Sequence, residues 1–320
     1  MIQEYSLDYH SLDSYYQFLS YKGIPSFRII KDKMFIDDRY LIRNPLDREI
    51  EEELSPFLFD YQKFIVKLAL KKKRFAVFSE CGTGKTAIFL EYIKHIRKNL
   101  GNKKILIISP LMIVDQTIDE YKRFYQRDDL RNICKTGLEK WLEDKTDFAI
   151  INYDKFQEKK DLYEKVGCVV IDESSILKQE TGIIRTSLIE SCKGIEYKLC
   201  CSATPAPNDR QEYANHALFL EYVRSNNEFY SKFFINRENT WELKGHAKEA
   251  FYRFLANFSI FMLYPVNYGF EDNMKNLPIP LIKEINIPLT EEQREFIRKY
   301  NKKKNIMNPL VSSLFARNGG

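Results

Sequence analysis

The middle of the chain alternates between short apolar runs and longer stretches in which apolar residues recur at helical spacing. Five apolar runs are predicted as buried strands, at residues 75–78, 105–108, 148–151, 168–171 and 198–201. Helices are predicted between them, including one near residues 61–70 and one over residues 86–98. Buried strands that alternate with amphipathic helices are typical of a parallel sheet with helices on both faces. The pattern therefore predicts an α/β nucleotide-binding domain over residues 53–210.

The part of the chain before this domain has a different pattern. Residues 11–22 have apolar side chains at helical spacing and are predicted as a short helix. Residues 26–30 and 34–42 are β-rich and flank a polar turn, which predicts a hairpin. Residues 1–52 are therefore predicted as a small α+β unit, which ends in the acidic connector REIEEE at 48–53.

The part after residue 210 is rich in aromatic residues. Residues 211–263 have helical spacing and no strand pattern, so a helical subdomain is predicted over residues 211–276. The sequence NLPIP interrupts it, a strand-like LIKEINIPL follows, and TEEQ at 290–293 predicts a capping box at the start of another helix. A further domain is expected to begin at residue 277, and residues 277–320 are expected to be only its first part.

Composition excludes some classes of protein. A hydrophobic content of 44% is enough for a globular core, and a net charge of +5 is compatible with a polyanionic partner without requiring one. The six cysteines form no CxxC pair and accompany no histidine cluster, which argues against a zinc site and a secreted disulfide framework. The chain has neither a signal-peptide pattern nor an apolar run near the ~18 residues of a membrane span. We expect a cytoplasmic protein (in the host cytoplasm if viral) without a membrane partner.

The strongest candidate site is SECGTGKT at residues 79–86, between a predicted strand and a predicted helix. Its candidate nucleotide-binding residues are Gly82, Thr83, Gly84, Lys85 and Thr86. Glycines let the backbone turn its amides toward a phosphate chain, and the helix that follows adds its positive end. Lys85 would reach the β and γ phosphates, and Thr86 would offer its hydroxyl to Mg²⁺. A strict GxxxxGKT pattern is not met, because residue 79 is Ser, and a chance glycine-rich turn is the alternative.

A second candidate is VVIDESS at residues 169–175, an apolar strand that ends in two carboxylates. At the carboxyl edge of a parallel sheet these carboxylates face the same crevice as the phosphate loop. Asp172 would hold Mg²⁺, usually through water, and Glu173 would take a proton from the attacking water. Taken alone, such a run is more often an ordinary strand end.

A third strand end carries CSATPAPN at residues 201–208. The hydroxyls of Ser202 and Thr204 can form hydrogen bonds toward the two carboxylates and sense the γ-phosphate. By itself this would be a common proline-rich turn, but it is the third such motif in order along the chain.

Together the three motifs resemble superfamily 2 helicases, and more narrowly the SWI/SNF-like branch of bacteriophage and bacterial motors. SECGTGKT matches the helicase form of motif I, in which a small residue precedes xxGxGKT; DESS matches motif II and SATPAPN matches motif III. Further matches are FDYQ at 59–62, ISPL at 108–111 as motif Ia, INYD at 151–154, and WELKGH at 241–246. The resemblance runs from about residue 55 to the end of the chain and leaves the first 50 residues outside it.

The resemblance implies a RecA-like P-loop lobe that binds ATP and Mg²⁺, with a helical insertion after motif III. It implies that Gln62 contacts the adenine and that the loop at Ser109 and Pro110 contacts the nucleic-acid backbone. Motors of this branch follow phosphates, so sequence-independent binding of duplex or branched DNA is expected, in repair or recombination, by a monomer.

One departure limits the resemblance. Family members have a second RecA-like lobe with an arginine finger in a QxxGRxxR-like motif, which this sequence lacks. We expect that lobe to begin near Leu281 and to be largely missing from this chain. An arginine finger contributes roughly 10³–10⁵ in rate, so the chain alone should bind ATP and hydrolyse it poorly.

The leading hypothesis is therefore an ATP-dependent DNA translocase or helicase. An RNA helicase is an alternative, against which DESS in place of DEAD and the helical insertion argue. A non-motor, nucleotide-regulated DNA-binding module is another; the intact Lys85, Thr86, Asp172 and Glu173 argue against it.

Two other patterns are interpreted as structural. The aromatic stripe at Phe251, Phe254, Phe258 and Phe261 is interpreted as core rather than as a base-stacking surface. The four histidines are scattered, and none has a sequence neighbour that suggests catalysis.

Overall fold

The computed structural model describes residues 2–8, 10–11, 14, 18, 21, 28–37, 53–156, 158–178, 182–237, 240–271 and 288–304. Most of the predicted helix at 11–22, the end of the predicted strand at 34–42, the connector at 48–52 and residues 276–287 lie outside the described residues. The chain forms two compact units, Met1–Asp272 and Asn273–Gly320. The predicted domain boundaries at residues 53, 211 and 277 stay predictions.

The strands are β1 (Ile2–Ser6), β2 (Arg28–Ile30), β3 (Lys33–Asp37), β4 (Arg74–Ser79), β5 (Lys104–Ser109), β6 (Leu130–Asn132), β7 (Phe148–Asn152), β8 (Val166–Asp172), β9 (Tyr197–Ser202), β10 (Phe234–Arg237), β11 (Thr240–Leu243) and β12 (Ser259–Met262). The helices are α1 (Asp60–Lys72), α2 (Lys85–Ile96), α3 (Val114–Tyr125), α4 (Leu138–Leu142), α5 (Leu162–Lys165), α6 (Ile183–Ser191), α7 (Tyr213–Phe219), α8 (Asn226–Phe233), α9 (Lys248–Phe258) and α10 (Glu291–Lys304).

A seven-stranded sheet in the order β12-β4-β9-β8-β5-β7-β6 forms the centre of the first unit. Every neighbouring pair in it is parallel, and this confirms the predicted α/β fold and its five predicted strands. Parallel strands need crossover connections, and helices between the strands provide most of them. Because all the strands run the same way, the segments that follow them emerge at one edge of the sheet.

Both faces of the sheet are buried. On β4, Phe75 and Val77 pack with α1, α2 and α3, whereas Ala76 and Phe78 pack with the helices on the opposite face. Successive side chains of a strand point to opposite faces, so an unbroken apolar run such as FAVF supplies both cores at once. The predicted helices at 61–70 and 86–98 are α1 and α2.

Three strands that precede the nucleotide-binding region form a separate antiparallel sheet in the order β1-β3-β2. The pairing of β2 with β3 confirms the predicted hairpin. The pairing of β1 with β3 was not predicted. Met34 and Ile36 of β3 are fully buried in a small core of their own.

The prediction of helices alone over residues 211–263 is wrong. The hairpin of β10 and β11 lies within this segment, and β12 joins the central sheet beside β4. Helix α9 ends at Phe258 because Ser259 takes an extended conformation and its hydroxyl donates to the carbonyl of Leu255 (2.7 Å). Phe258 is buried in the core as expected, whereas Phe261 lies on β12 and is 37% exposed.

The second unit contains α10. The amide of Thr290 donates to Oε1 of Gln293 (3.1 Å), and the amide of Gln293 donates to Oγ1 of Thr290 (3.3 Å). These reciprocal bonds confirm the predicted capping box. Within the described ranges, no helix has the length and apolar character needed to cross a membrane.

Candidate nucleotide-binding site

Three predicted motifs lie at the ends of adjacent strands. Strand β9 lies between β4 and β8, and in the parallel registers Phe78 is opposite Ser202, and Asp172 is opposite Cys201. The phosphate loop, the SAT segment and the DESS segment therefore follow three neighbouring strands at the carboxyl edge of the sheet. Crevices outside this edge are where open α/β sheets bind ligands.

The loop between β4 and α2 has the backbone conformation expected of a phosphate cradle. Gly82 has a φ of 82° and Gly84 a φ of 75°, values that residues with a side chain rarely adopt. The Nζ atom of Lys85 donates to the carbonyl oxygens of Ser79 (3.1 Å) and Glu80 (3.2 Å). The lysine ammonium thus folds back on the start of the loop, and the amino end of α2 lies beside it.

Two consecutive side chains of α1 hold the loop. The hydroxyl of Tyr61 and Nε2 of Gln62 both donate to the carbonyl oxygen of Thr83, each at 3.0 Å. The Oε1 atom of Gln62 accepts from the amide of Phe59 (3.0 Å), which caps α1. A Cβ atom on Gly84 would lie only 2.4 Å from Nε2 of Gln62. The structure therefore places Gln62 against the phosphate loop, and its contact with adenine stays a prediction.

An aromatic ring is exposed beside this contact. The ring of Phe59 stacks on that of Tyr61 with 5.8 Å between centroids and an interplanar angle of 13°. Phe59 is 48% exposed, whereas Tyr61 is buried. One face of an aromatic pair is thus available next to Gln62.

Asp172 supplies a buried negative charge at the end of β8. It is 6% exposed, and burial, followed by the charge of Glu173, raises the pKa of its carboxyl to about 6. The charge of Lys85 acts in the opposite direction on the same carboxyl. An anion that is costly to bury is stabilised by a cation, so the site is suited to a divalent metal.

Thr86 is the second predicted ligand of Mg²⁺. Thr86 is half-buried in the first turn of α2, and the described residues contain no group of three or more His, Cys, Asp or Glu side chains that could hold a metal ion. Mg²⁺ is usually held by one or two protein oxygens together with water and substrate phosphates. Thr86 and Asp172 are the residues that could hold Mg²⁺ together with a nucleotide, and this role stays a prediction.

Glu173 connects the second and third motifs. Its Oε1 atom accepts hydrogen bonds from the hydroxyls of Ser175 (2.9 Å) and Ser202 (2.7 Å). The hydroxyl of Ser202 in turn accepts from the backbone amide of Thr204 (3.1 Å). Ser202 thus contacts the carboxylate as its chemistry suggested, and Thr204 acts through its backbone while its side chain is exposed.

The predicted nucleic-acid loop lies at the end of β5, on the other side of β8. The side chain of Ser109 is fully buried, and its hydroxyl donates to the carbonyl of Pro110 (3.3 Å). The exposed side chains of the loop are Leu111 (63%) and Met112 (88%). The buried Ser109 side chain is not placed to contact a ligand at the surface. The predicted contact of the loop at Ser109 and Pro110 with the nucleic-acid backbone stays a prediction.

Tyr153 contacts the site although the sequence assigned it no role beyond the INYD match. It follows β7, and its hydroxyl lies within hydrogen-bonding distance of the carbonyl oxygens of both Asp172 and Glu173. The only signal in the sequence was its position at a strand end before the DESS segment.

His216 also contacts the site, which its position in the sequence did not indicate. Its Nε2 atom lies 3.0 Å from the hydroxyl of Ser174 in the DESS segment. Its ring packs edge-on against Phe78, with 5.0 Å between centroids. Burial lowers the pKa of His216 to about 4, so the ring is neutral at physiological pH. A serine at the third position of DESS, where a buried hydroxyl needs a partner, was the available signal.

A comparison with protein-family models matches residues 61–315 to the SNF2-related domain. The chain belongs to this family. The matched region begins at Tyr61 and includes the phosphate loop, both carboxylates and the SAT segment, which confirms the resemblance found from the motifs.

One solved structure is similar enough to support the fold. The SWI2/SNF2 ATPase core of Sulfolobus solfataricus, solved in complex with dsDNA, is 17% identical with a TM-score of 0.56, over 82% of this chain and 57% of that chain. This chain therefore spans little more than half of that structure, and the likeness confirms a RecA-like fold. The UvsW helicase of bacteriophage T4 is 15% identical with a TM-score of 0.41, over 49% of this chain and 56% of that chain. None of the curated proteins compared matches the chain.

Proposed function

We propose that this SNF2-related domain is the ATP-binding lobe of an ATP-dependent DNA translocase or helicase. The observation that carries the proposal is the meeting of three motifs at one edge of the sheet. Lys85 of the phosphate loop is close enough to affect the pKa of Asp172, and Glu173 is hydrogen-bonded to Ser202.

ATP would bind with its phosphates in the loop. The amides of Gly82, Thr83 and Gly84 and the ammonium of Lys85 would surround the anion, and the positive end of α2 would stabilise it further. The adenine would lie toward Phe59 and Gln62, which offer an aromatic face and an amide. Gln62 already contacts Thr83, so base and phosphate contacts would be linked through one side chain.

Hydrolysis would depend on Glu173. Its carboxylate would accept a proton from the attacking water, and Ser202 would sense the change because it donates to that carboxylate. Thr86 and Asp172 would hold Mg²⁺, which would neutralise charge on the phosphates. These 320 residues contain no QxxGRxxR motif, so we expect hydrolysis to stay slow without an arginine from another lobe.

DNA is favoured as the nucleic acid. The family assignment and the Sulfolobus solfataricus core, solved with dsDNA, support duplex DNA as the partner. The net charge of +5 is compatible with a partner that is contacted through its phosphates. Contacts to phosphates carry no sequence information, so binding should be independent of sequence.

The test is ATP hydrolysis measured alone, with duplex DNA and with RNA. We expect stimulation by DNA and not by RNA, and loss of hydrolysis in the Lys85→Ala variant. Lys67→Ala is the matched control, because Lys67 is an exposed lysine of α1 outside the loop. Stimulation by RNA alone would favour an RNA helicase, and DNA binding without any ATP binding would favour a non-motor module.

A further inference from the structure

The backbone of Glu173 has an unusual conformation. Its φ is 54°, in the left-handed region where the Cβ atom of a residue other than glycine meets the backbone. Such a residue keeps this conformation only where the surrounding contacts hold it. The contacts around Glu173 therefore determine where its carboxylate lies.

Tyr153 holds the turn from one side. Its hydroxyl lies within hydrogen-bonding distance of the carbonyl oxygens of Asp172 and Glu173, which are the carbonyl groups before and after the Glu173 Cα atom. Tyr153 is 8% exposed and is fixed by its own packing in the core. A rigid donor at this place fixes the direction of both carbonyl groups.

Helix α7 holds the turn from the other side. His216 is bonded to the Ser174 hydroxyl (3.0 Å), and both residues are fully buried. The neighbouring Asn215 donates from Nδ2 to the carbonyl of Lys178 (3.2 Å), at the end of the same 3₁₀ turn. The turn after Glu173 is thus attached to α7 at its beginning and its end.

The ring of His216 connects this turn to the phosphate loop. It packs against Phe78, the residue before Ser79 at the end of β4, where the loop begins. The hydrogen bonds that Tyr153 and His216 form at this site go to the DESS segment.

We infer that Tyr153 and His216 are positioning residues for Glu173. Tyr153 fixes the carbonyl groups before and after the Glu173 Cα atom. His216 fixes Ser174, the next residue. Together they set the direction of the Glu173 carboxylate, and so the rate of ATP hydrolysis rather than the affinity for ATP. This inference rests on the proposed role of Glu173 as the base.

The first experiment removes each contact with the smallest change. Tyr153→Phe deletes one hydroxyl, His216→Leu removes the ring nitrogens, and His216→Gln keeps an amide near the position of Nε2. We measure kcat and KM for ATP, the Kd of a fluorescent ATP analogue, and Tm. A misplaced base should lower kcat on the order of ten- to a hundredfold. We expect this loss in Tyr153→Phe and His216→Leu with Kd nearly unchanged, and recovery of kcat in His216→Gln.

Two matched variants control for a general loss of stability. Tyr121→Phe removes a buried hydroxyl that donates to Asp129 (2.9 Å), and Ser191→Ala removes a buried hydroxyl that accepts from the amide of Lys159 (2.9 Å). Both lie outside the DESS segment and should keep the wild-type kcat even where Tm falls. In a Glu173→Gln background, Tyr153→Phe should cause no further loss of kcat, because the base is already absent.

A second readout does not depend on hydrolysis. Hydrogen exchange of the amides of residues 173–175 should be faster in Tyr153→Phe and in His216→Leu than in the wild type. Wild-type kcat and unchanged exchange in these variants would overturn the inference. A loss of kcat in the control variants in proportion to their loss of Tm would also overturn it. A wild-type protein that neither binds nor hydrolyses ATP would overturn the proposed function, whatever the exchange rates show.

Discussion

At the scale of single residues, Asp172 combines a functional charge with a cost in stability. Burial and the neighbouring Glu173 raise its pKa to about 6, above the value of about 3.9 in an unfolded chain. The folded state therefore binds more protons between these two pH values, and its stability falls as the pH rises from about 4 to 6. Above pH 6 the full cost of the buried charge is present.

Asp172→Asn should remove this cost. The asparagine Oδ1 can still accept from the amide of Glu173, as Asp172 does at 3.0 Å. Without Mg²⁺ at pH 8, we expect the variant to be more stable by on the order of 1–3 kcal/mol, and the difference to shrink at pH 4. Denaturant unfolding at both pH values measures this, alongside a loss of ATP hydrolysis. A variant that is less stable than the wild type at pH 8 would contradict the account.

The short sequence motifs predicted one part of the site, whereas the contacts between distant residues could not be predicted from the sequence. The phosphate loop and the paired carboxylates were predictable because each lies in one short segment whose chemistry requires those residue types. The contacts of Tyr153 and His216 were not predictable, because their partners lie 19 and 42 residues away along the chain. Only the fold brings them together.

At the scale of elements, Glu91 of α2 holds together the segments around the phosphate loop. Its fully buried carboxylate accepts from the amide of Ser55 (2.9 Å), from Tyr125 of α3 (2.8 Å) and from His95 (2.9 Å). Burial opposes its ionisation, but these hydrogen bonds outweigh burial and hold the pKa of Glu91 well below its usual value. The stability that this carboxylate provides is therefore present above the unfolded pKa of about 4.3 and is lost as the pH falls through the acid range.

Glu91→Gln should be destabilising because an amide cannot accept from all these donors. We expect a loss of about 2–4 kcal/mol at pH 7, measured by denaturant unfolding. The difference from the wild type should narrow as the pH is lowered. Glu190→Gln, at an exposed position of α6, serves as the control. An equal loss in both variants would mean that Glu91 has no special role.

The two hydrogen bonds from α1 to the phosphate loop lead to a separate prediction. Tyr61→Phe removes one of the two donors to Thr83, and Gln62→Ala removes the other together with the cap on Phe59. We expect a several-fold weaker affinity for ATP in each, and a further loss in the double variant. Tripolyphosphate has no adenine. If Gln62 also contacts adenine, Gln62→Ala should weaken the affinity for tripolyphosphate no more than Tyr61→Phe does. Titration with both ligands measures this, and equal effects of Gln62→Ala on ATP and tripolyphosphate would argue against adenine reading.

Sequence patterns predicted the central elements and missed those at the sheet edges. Each of the five predicted strands lies between two other strands of the sheet and is an apolar run. Strand β6 has three residues, two of them polar and exposed, so it has no apolar run. Strand β12 continues the apolar spacing of α9, and only its pairing with β4 distinguishes a strand from another helical turn.

At the scale of the whole molecule, the fold brings together residues from distant parts of the sequence. Asp172 and Ser202 end strands β8 and β9, and Lys85 lies in the loop region after β4; these strands are neighbours in the sheet although the three motifs are far apart in the chain. The family match covers residues 61–315 and includes all three. We propose that this edge of the sheet is an ATP site that requires the phosphate loop.

Calorimetric titration of the protein with ATP and Mg²⁺ tests this claim most directly. We predict binding of one ATP per chain, loss of binding in Lys85→Ala, and unchanged binding in the Lys67→Ala control. Absence of binding in the wild type, or equal binding in wild type and Lys85→Ala, would contradict it.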